Sequence, residues 1–148
     1  SESLKQSQTY NRDGMDIAIC TFERTTRTLF YAGARSPMYL YDENNGFEKF
    51  DADRTSIGGR SNAFDYTLHE RKLNSPTWIY LASDGFQDQF GGKSDRKFLL
   101  KNFRKLLSTL PPASMPDQKA TLAKVINDWQ AEGSQEQTDD IVVMGVKL

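Results

Sequence analysis

Three carboxylates of this sequence lie where apolar runs end or begin. Asp84 closely follows the run of residues 78–82 (Trp-Ile-Tyr-Leu-Ala), and Asp139 and Asp140 directly precede the run of residues 141–146 (Ile-Val-Val-Met-Gly-Val). Apolar runs of this length without helical spacing predict buried strands. If the two strands are antiparallel neighbours, these ends meet at one edge of a sheet. Clustered carboxylates repel each other unless a cation bridges them, and oxygen-only ligands favour Mg²⁺ or Mn²⁺ over zinc.

Gly85 allows the backbone to turn sharply after Asp84, which would fix the direction of the carboxylate. The same Asp-Gly dipeptide is also common in ordinary turns, so its position alone leaves both interpretations open. Other chemistries fit this segment less well. A haloacid-dehalogenase-type phosphotransferase requires a second Asp where this chain has Phe86, and a receiver domain requires its acidic pair at the end of an early strand. A Ser-His-Asp triad would depend on His69, the single histidine, and Ser83 lacks the preceding glycine of a nucleophile elbow.

The bulk composition predicts one soluble globular domain. The chain has 148 residues, with 19 basic and 20 acidic side chains, and its net charge of −1 gives no electrostatic footprint for nucleic acid or a membrane surface. The single cysteine, Cys20, excludes an internal disulfide and fits a reducing compartment. We find neither a signal peptide nor an apolar run of transmembrane length. We therefore expect a cytoplasmic location, with a membrane anchor elsewhere in a longer parent protein left open.

Hydrophobic periodicity divides the chain into a polar lead-in, a group of strands and a pair of helices. Residues 1–12 form the lead-in. Short strands are predicted at residues 13–22, 28–34, 38–41, 47–50 and 64–68, the last with the alternation of a half-exposed strand. Two amphipathic helices are predicted at residues 96–110 and 115–131, and a buried, central strand at residues 141–146. This order predicts one α+β domain over residues 13–148 in which the last strand returns to a sheet.

Several short motifs also carry a family resemblance. In order, they are Asp13-Gly14-Met15-Asp16, Tyr31-Ala32-Gly33-Ala34 with Pro37, Ser56-Ile57-Gly58, Ser83-Asp84-Gly85 with Asp88-Gln89-Phe90-Gly91, Trp129, and Asp139-Asp140-Ile141. In their order and spacing they resemble the bacterial stage-II-sporulation-E-like branch of the PP2C-type serine/threonine protein phosphatases. The resemblance covers the chain from Asp13 to Leu148. It implies a sandwich of two antiparallel β-sheets flanked by α-helices.

The resemblance implies two Mn²⁺ or Mg²⁺ ions, held by aspartates at one edge of the sandwich. By motif matching, Asp84 and Asp139 are metal ligands, and Gly85 and Asp140 support the metal site. Asp16 either supports the site from the first hairpin or caps its strand through a backbone hydrogen bond, and the capping role is the expectation. The family chemistry needs no protein nucleophile, because a metal-activated water attacks phosphorus directly.

The resemblance further implies a phosphoserine or phosphothreonine substrate on a regulatory protein, commonly an anti-sigma-factor antagonist, and sensor or receiver modules in the parent chain. Full-length members carry further metal-ligating aspartates ahead of the motif at Asp13, and residues 1–12 contain no such motif. We therefore expect the C-terminal part of a phosphatase domain that is inactive by itself. We also expect it to self-associate, either through an uncovered sheet edge or by exchanging elements between copies. The alternative is a non-catalytic, partner-binding domain with a partial metal site. Arg35 either contacts a phosphoprotein or is a solvated loop residue.

Overall fold

The computed structural model of this chain describes residues 14–58 and 64–148. The predicted lead-in at residues 1–12 and Asp13 lie outside the described residues. The described ranges form two antiparallel sheets packed face to face, with helices against one of the sheets, which confirms the predicted α+β sandwich. No helix in these ranges is long and apolar enough to span a membrane.

The strands precede most of the helical residues along the chain. In chain order, the strands are Gly14–Met15 (β1), Ile17–Glu23 (β2), Thr28–Ala34 (β3), Met38–Asp42 (β4), Gly46–Phe50 (β5), Ile57–Gly58 (β6), His69–Lys72 (β7), Thr77–Ala82 (β8), Phe90–Gly91 (β9), Arg96–Lys97 (β10) and Val143–Lys147 (β11). The helices are Gly85–Asp88 (α1), Leu100–Thr109 (α2) and Met115–Gly133 (α3).

The larger sheet contains four strands in the order β11-β8-β4-β5, with every neighbouring pair antiparallel. Trp78 and Tyr80 on β8 pack with the helices, whereas Ile79 packs with the second sheet. These three side chains are at most 6% exposed. The run at residues 78–82 is therefore a strand with apolar contacts on both faces, as predicted from its unbroken apolar sequence.

The second sheet contains three antiparallel strands in the order β2-β3-β7. Its inner face contributes Leu29 and Tyr31, which pack with Met38, Leu40 and Ile79 of the larger sheet. Burial of each such side chain stabilises the fold by about 1.5–3 kcal/mol. Two short pairs, β1 with β6 and β9 with β10, lie outside these sheets.

Helices α2 and α3 cover the other face of the larger sheet. Phe103 and Leu107 of α2 and Ile126 of α3 join the cluster that contains Trp78 and Tyr80. The predicted start of α3 is confirmed, because the Ser114 hydroxyl caps the helix by accepting a hydrogen bond from the Asp117 amide at 3.3 Å. Helix α3 ends at Gly133, two residues beyond its predicted end.

The first long helix starts later than its apolar stripe predicts. Instead of beginning at Arg96, the chain pairs Arg96–Lys97 with Phe90–Gly91 as a short ladder. Leu99 then adopts a left-handed backbone conformation (φ 74°), so an α-helix cannot run through it. Leu99 is 56% exposed and lies outside the buried stripe to which the spacing assigned it.

Two strand predictions are also wrong. Residues 64–68 are not a strand, and β7 instead begins at His69. The Thr67 amide and hydroxyl donate hydrogen bonds to the Asp53 carboxylate, at 2.7 and 3.0 Å, rather than to a neighbouring strand.

The last strand is an edge strand instead of a central one, because within the described ranges it pairs with β8 alone. The side chains of Met144 and Val146 on this strand are exposed, and so is that of Val142 directly before it. A β-branched run occurs in both edge strands and central strands, so the sequence pattern does not distinguish between them.

Asp42 fixes the hairpin between β4 and β5. Its buried carboxylate accepts hydrogen bonds from the Asn44 and Asn45 amides, each at 2.9 Å, and from the Ser75 hydroxyl at 2.6 Å. Burial favours the neutral acid and so raises the pKa of Asp42, but these hydrogen bonds outweigh burial and the pKa is lowered overall. The charged carboxylate thus stabilises the turn that leads into β5.

We expect Asp42→Asn to lower the free energy of unfolding at pH 7 by about 1–3 kcal/mol, since the variant loses charge-assisted hydrogen bonds. The pKa of Asp42 is lower in the folded than in the unfolded state, where it is about 3.9. Its stabilisation is therefore complete above about pH 5 and is lost as the pH falls through the folded pKa. Urea unfolding at several pH values should show the difference between wild type and variant shrinking below about pH 4. Glu43→Gln, an exposed neighbour on the same turn, is the control and should show no such difference.

Gln89 joins the end of α1 to the segment that precedes β11. Its fully buried amide donates hydrogen bonds to the backbone carbonyls of Phe90 and Glu136, at 3.0 and 2.8 Å, and accepts one from the Thr138 amide at 3.2 Å. The backbone carbonyl of Gln89 accepts a hydrogen bond from the Trp129 indole at 3.1 Å. Gln89 thereby fixes residues 136–138 against the core.

Gln89→Leu should release this segment while preserving most of the side-chain volume. The lost hydrogen bonds leave backbone groups of Glu136 and Thr138 without their partner, which costs about 1–3 kcal/mol. We expect faster amide hydrogen exchange in residues 134–140, measured by mass spectrometry. The control is Gln130→Leu, at a half-buried glutamine of α3. Equal protection of residues 134–140 in wild type and Gln89→Leu would contradict this role.

Candidate metal site

The end of β8 and the segment before β11 meet at one edge of the larger sheet. The last residue of β8, Ala82, pairs with Val143, the first residue of β11. Beyond this pair, the Ser83 amide donates to the Val142 carbonyl at 3.0 Å. The Ser83 hydroxyl donates to the Asp140 carbonyl at 2.8 Å and accepts from the Val142 amide at 2.9 Å. The predicted meeting of the two strand ends is therefore confirmed.

Gly85 brings the two acidic segments into direct backbone contact. A Cβ atom at this position would lie 2.4 Å from the carbonyl oxygen of Asp140 and 3.2 Å from a side-chain carbon of Ile141. Only a residue without a Cβ allows so close an approach. The predicted supporting residues Gly85 and Asp140 are thus neighbours, and the turn after Asp84 lies directly against the turn after Asp139.

The two predicted metal ligands are both exposed to solvent. Asp84 is at the N-cap of α1, but its side chain makes no capping hydrogen bond, so its carboxylate oxygens are available to a ligand. Asp139 accepts a hydrogen bond from the Asp140 amide through Oδ1 at 2.7 Å. This bond holds one oxygen of the Asp139 carboxylate against the Asp140 backbone amide.

Asp84 lines a cleft of about 760 Å³ that is bounded by the larger sheet, α2 and the loops at residues 35–37 and 51–54. Asp16 lies in the same cleft. Its Oδ1 accepts a hydrogen bond from the Ser56 hydroxyl at 2.5 Å, and its Oδ2 lies 3.8 Å from Nε of Arg35. The expected backbone cap at Asp16 is therefore replaced by side-chain contacts. Asp139 is not among the residues that line this cleft.

The cleft contains charged residues that the sequence did not single out. Asp51, Asp53, Lys49 and Arg54 line it together with Asp84. Lys49 and Asp51 form an ion pair at 2.5 Å, and this contact lowers the pKa of Asp51. The available signal was the closely spaced run of acidic and basic residues at 49–54. No pattern in that run indicates which strand ends lie next to it. The residues that line the cleft therefore could not be predicted from the sequence.

The donor chemistry of this edge suits a hard divalent cation. Asp84, Asp139 and Asp16 offer carboxylate oxygens, the ligands that Mn²⁺ and Mg²⁺ prefer. The described ranges contain no group of three or more His, Cys, Asp or Glu side chains close enough to hold one metal ion. The residues therefore fit such an ion in type, and by themselves they would supply only part of a shell of about six oxygens.

Comparison with known proteins identifies the family. The model of the stage II sporulation protein E (SpoIIE) family matches residues 3–148. A comparison with curated proteins gave no match. Among solved structures, the SiaA-PP2C domain of Pseudomonas aeruginosa is 25% identical with a TM-score of 0.85, and the match covers 99% of this chain and 57% of that one.

The phosphatase domain of the cell fate determinant SpoIIE from Bacillus subtilis shares the fold. It is 13% identical with a TM-score of 0.61, and the match covers 98% of this chain and 62% of that one. A manganese-presoaked structure of the same domain gives 17% identity, a TM-score of 0.62 and coverages of 99% and 61%. This chain thus spans about three fifths of each of these solved domains. From its sequence and its PP2C-like α+β fold, the chain belongs to the SpoIIE family.

Proposed function

We propose that this chain provides part of the active site of a metal-dependent phosphatase that hydrolyses phosphoserine or phosphothreonine on a regulatory protein. The observation that carries the proposal is the pairing of β8 with β11, which brings Asp84 and the Asp139–Asp140 turn to one sheet edge. Family membership and the likeness to the SiaA-PP2C domain support it. Asp84 and Asp139 are the proposed ligands of Mn²⁺ or Mg²⁺, and Asp16 is a supporting carboxylate.

Bound divalent ions supply a water of lowered pKa and neutralise charge on the phosphate oxygens. The residues of this chain position the carboxylates that would bind these ions. Ser83 and Gly85 fix the turn that carries Asp84, and the Asp140 amide holds one oxygen of Asp139. The cleft beside Asp84 is open to solvent, and its volume of about 760 Å³ can hold a phosphorylated side chain.

The identity of the substrate protein rests on the family alone. We propose an anti-sigma-factor antagonist as the regulatory substrate, a cytoplasmic location, and sensor or receiver modules in the parent protein. The second candidate is a non-catalytic, partner-binding domain. It is favoured by one observation, that the described residues assemble no group of three potential ligands. The two candidates differ in whether the protein releases phosphate.

Replacing either proposed ligand should abolish phosphate release by the intact protein. We expect Asp84→Asn and Asp139→Asn each to lower Mn²⁺-dependent kcat/KM on a phosphoserine protein by about 100-fold or more, because a metal ion provides several kcal/mol of transition-state stabilisation. The measurement is phosphate release with Mn²⁺ and with EDTA.

The matched control is Asp128→Asn, at an exposed aspartate of α3 whose contact is an ion pair with Lys124. This variant should keep wild-type activity. Full activity in both ligand variants, or activity that survives EDTA, would contradict the proposed function. A wild-type protein that binds a phosphoprotein without releasing phosphate would favour the non-catalytic candidate.

A further inference from the structure

Two arginines occupy neighbouring positions in the cleft beside Asp84. Ala34 and Asp53 form a parallel β-bridge, and Arg35 and Arg54 are the residues that directly follow these two partners. The Arg35 amide donates to the Asp53 carbonyl at 2.7 Å, and the Asp53 amide donates to the Gly33 carbonyl at 2.9 Å. Both arginines are exposed, and both line the cleft.

The acidic groups near these arginines are engaged elsewhere. The Asp53 carboxylate accepts two hydrogen bonds from Thr67, and Asp51 is paired with Lys49. Arg35 reaches Asp16 through Nε alone, at 3.8 Å, and its side chain is 60% exposed. Arg54 has no ion pair among the described residues. Within the described ranges, the cleft therefore contains one arginine without an ion pair and one with a long, exposed ion pair, and an anion bound between two such cations would offset their mutual repulsion.

The backbone of Arg35 adopts a left-handed conformation, which is unfavourable for residues that have a Cβ atom. Its φ of 55° lies in the left-handed region, where glycine is the residue without steric cost. The hydrogen bond to Asp53 and a bridge to Ile17 maintain this conformation. Strain of this kind persists where the surrounding structure enforces it, and it concentrates at ligand sites. Arg35, held in this conformation, lines the cleft that contains Asp84.

We propose that Arg35 and Arg54 bind the phosphoryl group of the substrate and so determine the affinity for phosphorylated side chains. The planar guanidinium matches a phosphate bidentately, which a lysine at the same position cannot do. This inference rests on the proposed function for the identity of the phosphate as a phosphoserine or phosphothreonine. The pair is a substrate-binding element. It is distinct from Asp84 and Asp139, although Arg35 lies 3.8 Å from Asp16, the supporting carboxylate.

The first test measures binding without catalysis. Inorganic phosphate is titrated into the intact protein in EDTA and followed by ³¹P NMR. We expect Arg35→Gln and Arg54→Gln each to weaken phosphate binding about tenfold, and the double variant to weaken it further, because each removes a charged hydrogen-bond donor. Arg24→Gln, at an exposed arginine in the β2–β3 turn, carries the same charge change and should bind as wild type does.

A glycine variant separates binding from folding. Arg35→Gly removes the guanidinium and relieves the left-handed strain. It should unfold at the same or a higher temperature than wild type and still bind phosphate about tenfold more weakly. Wild-type affinity in Arg35→Gly and in the double glutamine variant would overturn the proposal, as would equal weakening in Arg24→Gln.

The second test uses turnover of a phosphoserine peptide with Mn²⁺. The arginine variants should raise KM about tenfold with kcat changed less than about threefold, since they remove binding rather than the metal-dependent step. A lowered kcat with unchanged KM would overturn the proposal. Failure of the proposed function has a different signature, which is that Asp84→Asn and Asp139→Asn keep their activity. The phosphate titration in EDTA tests whether the two arginines bind phosphate, whether or not the protein is a phosphatase.

Discussion

The antiparallel pairing of β8 with β11 is the interaction on which the rest of the site depends. Asp84 and Asp139 are 55 positions apart in sequence, and only the Ala82–Val143 register and the hydrogen bonds of Ser83 bring their turns together. Each of these contacts involves backbone groups, so the arrangement tolerates changes in most side chains. Ser83 and Gly85 are the exceptions, because the Ser83 hydroxyl makes two of these hydrogen bonds and a residue larger than Gly85 would collide with the Asp140 carbonyl.

The position of β8 is in turn fixed by burial on both of its faces. Trp78 and Tyr80 are held by the helices, and Ile79 by the second sheet, so a shift of β8 by one residue would exchange the two sets. Gln89 adds a polar restraint from the other side of the site by holding residues 136–138. Apolar packing therefore sets the register, and buried hydrogen bonds set the loops that carry the aspartates.

The sequence predicts the features that depend on local pattern. The apolar run ending before Asp84 and the capped helix beginning after Ser114 lie where the pattern places them. It cannot show that Leu99 leaves the helical region or that β11 is an edge strand, since both depend on contacts with distant segments. The sequence also cannot show that Arg35 and Arg54 line the same cleft, because this depends on a bridge between Ala34 and Asp53.

Anomalous diffraction from crystals of the intact protein soaked in Mn²⁺ would test the central claim most directly. The account predicts manganese at the β8–β11 edge, with carboxylate oxygens of Asp84 and of Asp139 at about 2.1–2.2 Å from ions of one cluster. Manganese bound elsewhere, with both of these carboxylates uncoordinated, would contradict it.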